Sequence, residues 1–197
     1  MKLRWFLCGM LLLFFVMMGG CTAPSPSGAT TVVTQIPAAA TGVTGNTFSI
    51  QVDSIMTGQA LPAAYTCTGA MESPDLRWQG VPTGAESLVL VVDDPDASGG
   101  TFTHWLVYNI PPGSSGLPRA QSASKVLADG SQQGDSSTGS RGYYPPCPPI
   151  GQEHRYIFRL YALDMMLSMP TTDRNGMDAA MSGHVIAVAE TGTTFRR

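Results

Sequence analysis

The stretch from Asp93 to Pro112, DDPDASGGTFTHWLVYNIPP, places three carboxylates and a histidine around a glycine pair between two apolar runs. Carboxylate and imidazole groups at this spacing serve four ordinary purposes: a metal loop, a catalytic dyad, an anion pocket, or a hairpin turn capped by aspartates. DPDASG, Asp94 to Gly99, matches the opening of a calcium loop, D-x-D-x-S-G. That loop also needs a glutamate at its twelfth position and flanking helices. Here the twelfth residue is Trp105 and the flanks read as strands. Asp94, His104 and His154 are suitable zinc ligand types without a diagnostic spacing such as H-E-x-x-H. For nucleophilic catalysis there is no G-x-S-x-G elbow and no cysteine beside a histidine in the chain, so a hydrolase reading is weak.

A second stretch, GSRGYYPPCPPIGQEHRYIF from Gly139 to Phe158, carries prolines 145, 146, 148 and 149 ahead of Gly151 and His154. The prolines stiffen an extended path and remove backbone donors, while the glycine permits a sharp turn. Such rigidity suits a pocket wall whose side chains must be held in place.

The elements that would position these residues are mostly strands. TFSIQVDSI alternates Phe48, Ile50 and Val52 with polar neighbours, as a half-buried strand does. DLRWQGVP is a short strand closed by Gly80 and Pro82; SLVLVVDD is apolar enough to be buried on both faces; HWLVYNIPP follows and stops at its proline pair. Gly113 to Gly142 is rich in glycine, serine and alanine and reads as a long loop. HRYIFRLYALD is a strand whose even positions, including His154 and Tyr156, share a face. DRNGMDAAMSGHVIA is the helix candidate, with Met177, Ala180, Met181 and His184 on one stripe, which would make His184 a core histidine. A last strand lies near AETGTTF.

The chain has 197 residues, 13% of them charged, with a net charge of -3. That supports one domain with a real core and gives no basic surface for nucleic acid. At the N-terminus, Lys2 and Arg4 precede an apolar run from Trp5 to Met18, followed by Gly19, Gly20 and Cys21. The run is shorter than the roughly 20 residues of a spanning helix and reads as an export signal over residues 1–20. Small residues before a cysteine resemble the cleavage box of bacterial lipoproteins, with Cys21 as the lipidated first residue; an ordinary cleaved signal is the alternative. Residues 21–45 then form a lipidated cysteine and an uncharged linker rich in proline, threonine and alanine, and 46–197 the domain. A lipid anchor would tether the domain to a membrane without spanning it. Cys67 and Cys147, 80 positions apart, remain as an even pair in an exported protein, either bonded or as two free thiols.

Together these stretches resemble the phosphatidylethanolamine-binding protein family, also called the Raf kinase inhibitor protein family, in its bacterial branch. The matching segments are YTCTG (Tyr65 to Gly69), DPDA (Asp94 to Ala97), HWLVYNIPP (His104 to Pro112), PCPPIG with HRYIFRLYALD (Pro146 to Asp164), and AMSGHVIAVAETGTTFRR (Ala180 to Arg197). The resemblance implies a mainly β fold of two packed antiparallel sheets with a few peripheral helices, and a small pocket for phosphate-like anions and phosphoryl head groups. Its pocket residues would be Asp94, Asp96, His104, Pro148, Pro149, His154 and Tyr156, with no cofactor and no metal. It also points to a homodimer. Where family members commonly carry glycines this chain has Tyr144 and Pro145, and Ser98 replaces a proline; the chain also ends without the long C-terminal helix of animal members.

An aspartate that accepts a hydrogen bond from a histidine would fix its tautomer and favour the cation, while the histidines and Tyr156 face the anion. Anion affinity should then rise as pH falls through about 6.5. The expected function is an envelope-tethered, non-enzymatic binding protein on the outer membrane facing the periplasm. An inhibitor or adaptor of another envelope protein and a weak hydrolase are the alternatives.

Overall fold

A computed structural model describes residues 47–53 and 55–197. The expected signal, the expected lipidation site Cys21 and the expected linker, residues 1–45, lie outside the described residues. Among the described residues, eight strands and one α-helix follow in chain order: β1 Ser49–Val52, β2 Leu76–Gln79, β3 Ser87–Asp94, β4 Phe102–Ile110, β5 Gly116–Leu117, β6 Gln132–Gln133, β7 Glu153–Leu163, α1 Arg174–Met181 and β8 Val185–Arg196. They form a three-stranded sheet, β1-β2-β5, and a five-stranded sheet, β6-β4-β3-β7-β8. All pairings within both sheets are antiparallel.

β3 is the central strand of the larger sheet, and every one of its residues is buried. Its even residues Leu88, Leu90 and Val92 pack between the sheets with Trp105, Phe158, Leu76 and Trp78. Its odd residues Val89 and Val91 pack on the other face with Leu106, Tyr108, Met177 and Met181. The continuous apolar run is thus explained by a layer on each side, sheet on one and helix on the other. β7 alternates as its sequence predicts, with His154, Tyr156, Phe158, Leu160 and Ala162 buried.

Differences from the sequence reading have local causes. α1 starts where the Asp173 carboxylate accepts the Gly176 N–H at 2.8 Å, and it ends at Met181. His184 therefore lies beyond the helix; it is half-exposed, and its Nδ1 sits 2.9 Å from Asp164. It is not a core histidine. The segment between Gly113 and Gly142 contains β5 and β6, and Gln133 anchors it. The Gln133 side-chain Oε1 accepts the Trp105 indole N–H at 2.8 Å, and its Nε2 donates to the Ser122 and Ser124 backbone carbonyls. The last strand is longer than expected, because β8 pairs with β7 along its whole length.

Leu90 is fully buried in the intersheet core. Leu90→Ala should lower unfolding free energy by about 2 to 5 kcal/mol, read from denaturant melts, through lost transfer energy and the cavity left behind.

Candidate functional site

The end of β3, the start of β4, the start of β7 and the proline segment enclose a pocket of about 280 Å³. Asp94, His104, Pro148, Pro149 and His154 line it, joined by Phe102 and Tyr144. Five of the seven expected residues therefore meet there.

His104 reaches the pocket through an irregularity in the sheet. Val92 is opposite Trp105, whereas Asp93 is opposite Thr103, so His104 is an extra residue in β4. A bulge of this kind re-aims a side chain that regular alternation would send elsewhere. Trp105 points into the intersheet core, Thr103 donates its hydroxyl to Asp93 at 2.8 Å on the helix side, and His104 faces the pocket. The proline segment locks it: the Tyr144 N–H donates to the His104 carbonyl at 2.8 Å, and His104 Nδ1 donates to the Tyr144 carbonyl at 2.7 Å. A carbonyl only accepts, so the Nδ1 carries the proton and a neutral His104 presents Nε2 as an acceptor. The ring lies 4.7 Å from Phe102 and 5.2 Å from Tyr156, edge-on to the latter.

His154 is positioned differently. Its Nδ1 donates to the Asp94 carboxylate at 2.7 Å, with both side chains buried, while its Nε2 lies 3.4 Å from the Gln152 side-chain oxygen. The other Asp94 oxygen accepts the Asp96 N–H at 2.8 Å. Asp94 therefore both caps the turn and orients the histidine. The three candidate zinc ligands are committed in this way to a carbonyl and to each other; among the described residues no cluster of three metal-binding side chains occurs.

Asp96 and Tyr156 do not line the pocket. Arg155 follows His154 on β7 and points the opposite way, and it captures Asp96 through its backbone N–H, Nε and Nη2 at 2.9, 2.9 and 2.6 Å. These hydrogen bonds hold the Asp96 carboxyl down to about 2. Asp96 clamps the DPDA turn to β7 from outside. Tyr156 is fully buried beneath His104, and burial raises its hydroxyl well above the ordinary value.

The pocket wall is tied down covalently. Cys67 and Cys147 form a disulfide with a Cα–Cα distance of 5.3 Å, and the Cys67 N–H donates to the Pro146 carbonyl at 3.0 Å. Gly151, with φ of 85°, makes the turn from the wall into β7. Bonding also removes Cys147, which lines the pocket, as a thiol nucleophile.

Among the described residues, three buried side-chain polar atoms lack a partner: His104 Nε2, the Tyr156 hydroxyl and Thr193 Oγ1. Two of them are thus at or beneath the pocket. Burial also lowers the His104 pKa from its usual value, outweighing the Tyr144 carbonyl and Asp94, which raise it. For this residue the cation is less favoured than the sequence alone predicts. A larger cleft of about 680 Å³ lies on the helix side, around Asp93, Asp135, Arg159, Arg174 and Asp178. Its charges are already matched: Arg174 pairs with Asp93 and Asp178, Arg159 with Asp93 and Glu190, and Arg141 with Asp135. The smaller pocket is the better candidate site.

The fold thus joins two antiparallel sheets to a pocket of two histidines, an aspartate and a proline wall. A model of the phosphatidylethanolamine-binding protein family matches residues 51–196, and the chain belongs to that family. A UPF0098 protein of Methanothermobacter thermautotrophicus is 47% identical over 138 residues, covering 70% of this chain and 91% of the relative. The candidate lipoprotein LppC of Mycobacterium tuberculosis is 36% identical over 187 residues, covering 90% of this chain and 86% of the relative. The crystal structure of a Chlamydia trachomatis homologue of phosphatidylethanolamine-binding proteins superposes with a TM-score of 0.70 at 37% identity, covering 77% of this chain and 99% of that one.

Two outcomes follow from the unpartnered groups. Tyr156→Phe removes a buried hydroxyl without a partner, so it should leave ligand-free stability unchanged or raise it by up to about 1 kcal/mol in denaturant melts. His104 should titrate below about 6.5 when its imidazole resonances are followed by NMR. The unfolded chain would bind the proton first, so the His104 contribution to stability is complete above about 6.5 and declines as pH falls below it.

Proposed function

We propose that this protein is a non-enzymatic binding protein whose pocket takes phosphate or phosphoryl groups. The observation that carries the reading is the pair of histidines, each with Nδ1 committed, that line one small pocket beside a rigid proline wall. Fixed imidazoles of this kind offer Nε2 atoms to a ligand at little ordering cost. Membership in a family described as phosphatidylethanolamine-binding supports a phosphoryl ligand.

The site also has features of binding rather than turnover. His154 and Asp94 form a histidine–carboxylate pair without a serine or cysteine bonded to the imidazole. Cys147 is held in its disulfide. Asp94 acts by orienting His154, and Asp96 acts only through the turn.

We place the domain on a lipid anchor at Cys21, facing the periplasm from the outer membrane. Support comes from the charged, apolar and small-residue order ahead of Cys21. The similarity to LppC also extends beyond the 51–196 family region to 90% of the chain. Homodimerisation through another surface would leave this pocket unaltered.

Calorimetric titration of the full-length chain with phosphate and phosphoethanolamine at pH 5.5 and 7.5 tests the reading. Saturable binding without turnover is expected, with at least about a ten-fold loss of affinity in a folded His104→Ala, His154→Ala variant. Asp94→Asn should weaken binding, whereas Asp96→Asn should leave it nearly unchanged. No binding by the wild type at either pH, or hydrolysis of the ester, would sink the reading.

A further inference from the structure

We infer that the pocket selects phosphoryl anions that still carry a P–O–H group, namely free phosphate and phosphomonoester monoanions, because His104 Nε2 presents a buried acceptor without a protein partner that a ligand donor can satisfy. This inference rests on the phosphoryl pocket described above and specifies the protonation state of its ligand.

The argument starts from the tautomer. His104 Nδ1 is used by the Tyr144 carbonyl, so the proton of a neutral ring is spent there and Nε2 has only a lone pair to offer. Nε2 is buried and unpartnered, and the residue is 3% exposed. The groups around the ring are Asp94 from β3, His154 and Tyr156 from β7, Phe102 from β4 and Tyr144 from the proline wall, while Asp93 acts on it only through its charge from the other face of β3. Burial outweighs the two carboxylates and the carbonyl and keeps the ring towards its neutral form. Asp94, also a pocket-lining group, already accepts from His154 and from the Asp96 N–H, and as a carboxylate it has only acceptor capacity.

A phosphoryl oxygen without hydrogen would set lone pair against lone pair at Nε2 and charge against charge near Asp94. A P–O–H donates instead, and the remaining anionic oxygens are left for the Nε2–H that His154 presents when its ring is an imidazolium paired with Asp94. The same geometry disfavours a phosphodiester, the form of an intact phospholipid head group, which has no P–O–H to offer. The source of the ligand is thereby narrowed to free phosphate or a released monoester.

Sulfate and hydrogen phosphate are tetrahedral dianions of nearly one size at pH 7.5, and they differ by one proton. Calorimetry with the full-length chain at that pH should give phosphate at least about ten-fold tighter than sulfate, since a site built to accept a hydrogen bond rejects an analogue that lacks the donor. Glycerophosphoethanolamine, a diester, should bind as poorly as sulfate. Phosphoethanolamine should weaken by about ten-fold per pH unit above its second ionisation near about 6, while phosphate, which keeps an O–H throughout, should hold its affinity to pH 8. His104→Gln, which supplies a donor as well as an acceptor, should bring the phosphate-to-sulfate ratio towards one. Equal binding of sulfate, diester and phosphate by the wild type would overturn this inference and leave the anion pocket standing. A ratio unchanged in the folded His104→Gln variant would overturn the assignment of the acceptor to His104. No binding of any anion, at pH 5.5 or 7.5, would remove the pocket reading and this inference with it.

Discussion

The burial of β3 on both faces constrains everything around it. A strand covered by a sheet on one side and by a helix on the other must leave both layers through its ends, and this one ends in two carboxylates. Consecutive strand residues point to opposite faces, so Asp93 and Asp94 cannot share a partner. Each is buried, and a buried carboxylate is costly unless paired. Asp93 is met on the helix side by Thr103, Arg159 and Arg174. Asp94 is met on the other by His154 and the backbone of its own turn. One adjacent pair thus organises two polar centres, one closed on itself and the other open to a pocket.

The open centre is rigid because its neighbours are bound to one another rather than to water. Tyr144 and His104 exchange hydrogen bonds through the backbone and the imidazole, which joins the proline wall to β4. The disulfide joins the same wall to the turn at Cys67, and Asp96 with Arg155 joins the DPDA turn to β7. Three links of different chemistry surround one small cavity. What they leave unsatisfied lies at and beneath it, where His104 Nε2 and the Tyr156 hydroxyl have no partner among the described residues. Uncompensated buried polar groups cost stability, and a binding site is a common reason for a fold to retain them.

Two departures of this chain from the usual family pattern, Tyr144 and Pro145, fall on the wall, and a third, Ser98, lines the pocket beside the DPDA turn. Tyr144 stands where a glycine is common, yet its contribution to His104 is made by its backbone N–H and carbonyl. Its ring lies beside Phe102, 5.5 Å away, and lines the pocket. The substitution therefore adds an aromatic surface to the cavity while the hydrogen bonds that hold His104 do not depend on the side chain.

Much of this was legible in the chain. The two-faced burial of β3 followed from an uninterrupted apolar run, and the shared face of His154 and Tyr156 from strand alternation, because both are consequences of a period of two. The resemblance of ordered segments brought DPDA, PCPP and HRY to one site. Side-chain destinations were not legible: Asp96 is drawn outward by Arg155, Tyr156 sinks under His104, and His184 leaves the helix stripe because α1 stops at Met181. By itself the sequence determined where the longer strands form and which faces they bury, since periodicity is a local property of the chain, whereas the two-residue strands β5 and β6 are too short to show one. Only the tertiary structure decided that His104 turns into the pocket and holds its proton on the inner nitrogen. That outcome comes from a bulge against β3 and a carbonyl 40 positions away, and no local pattern encodes either.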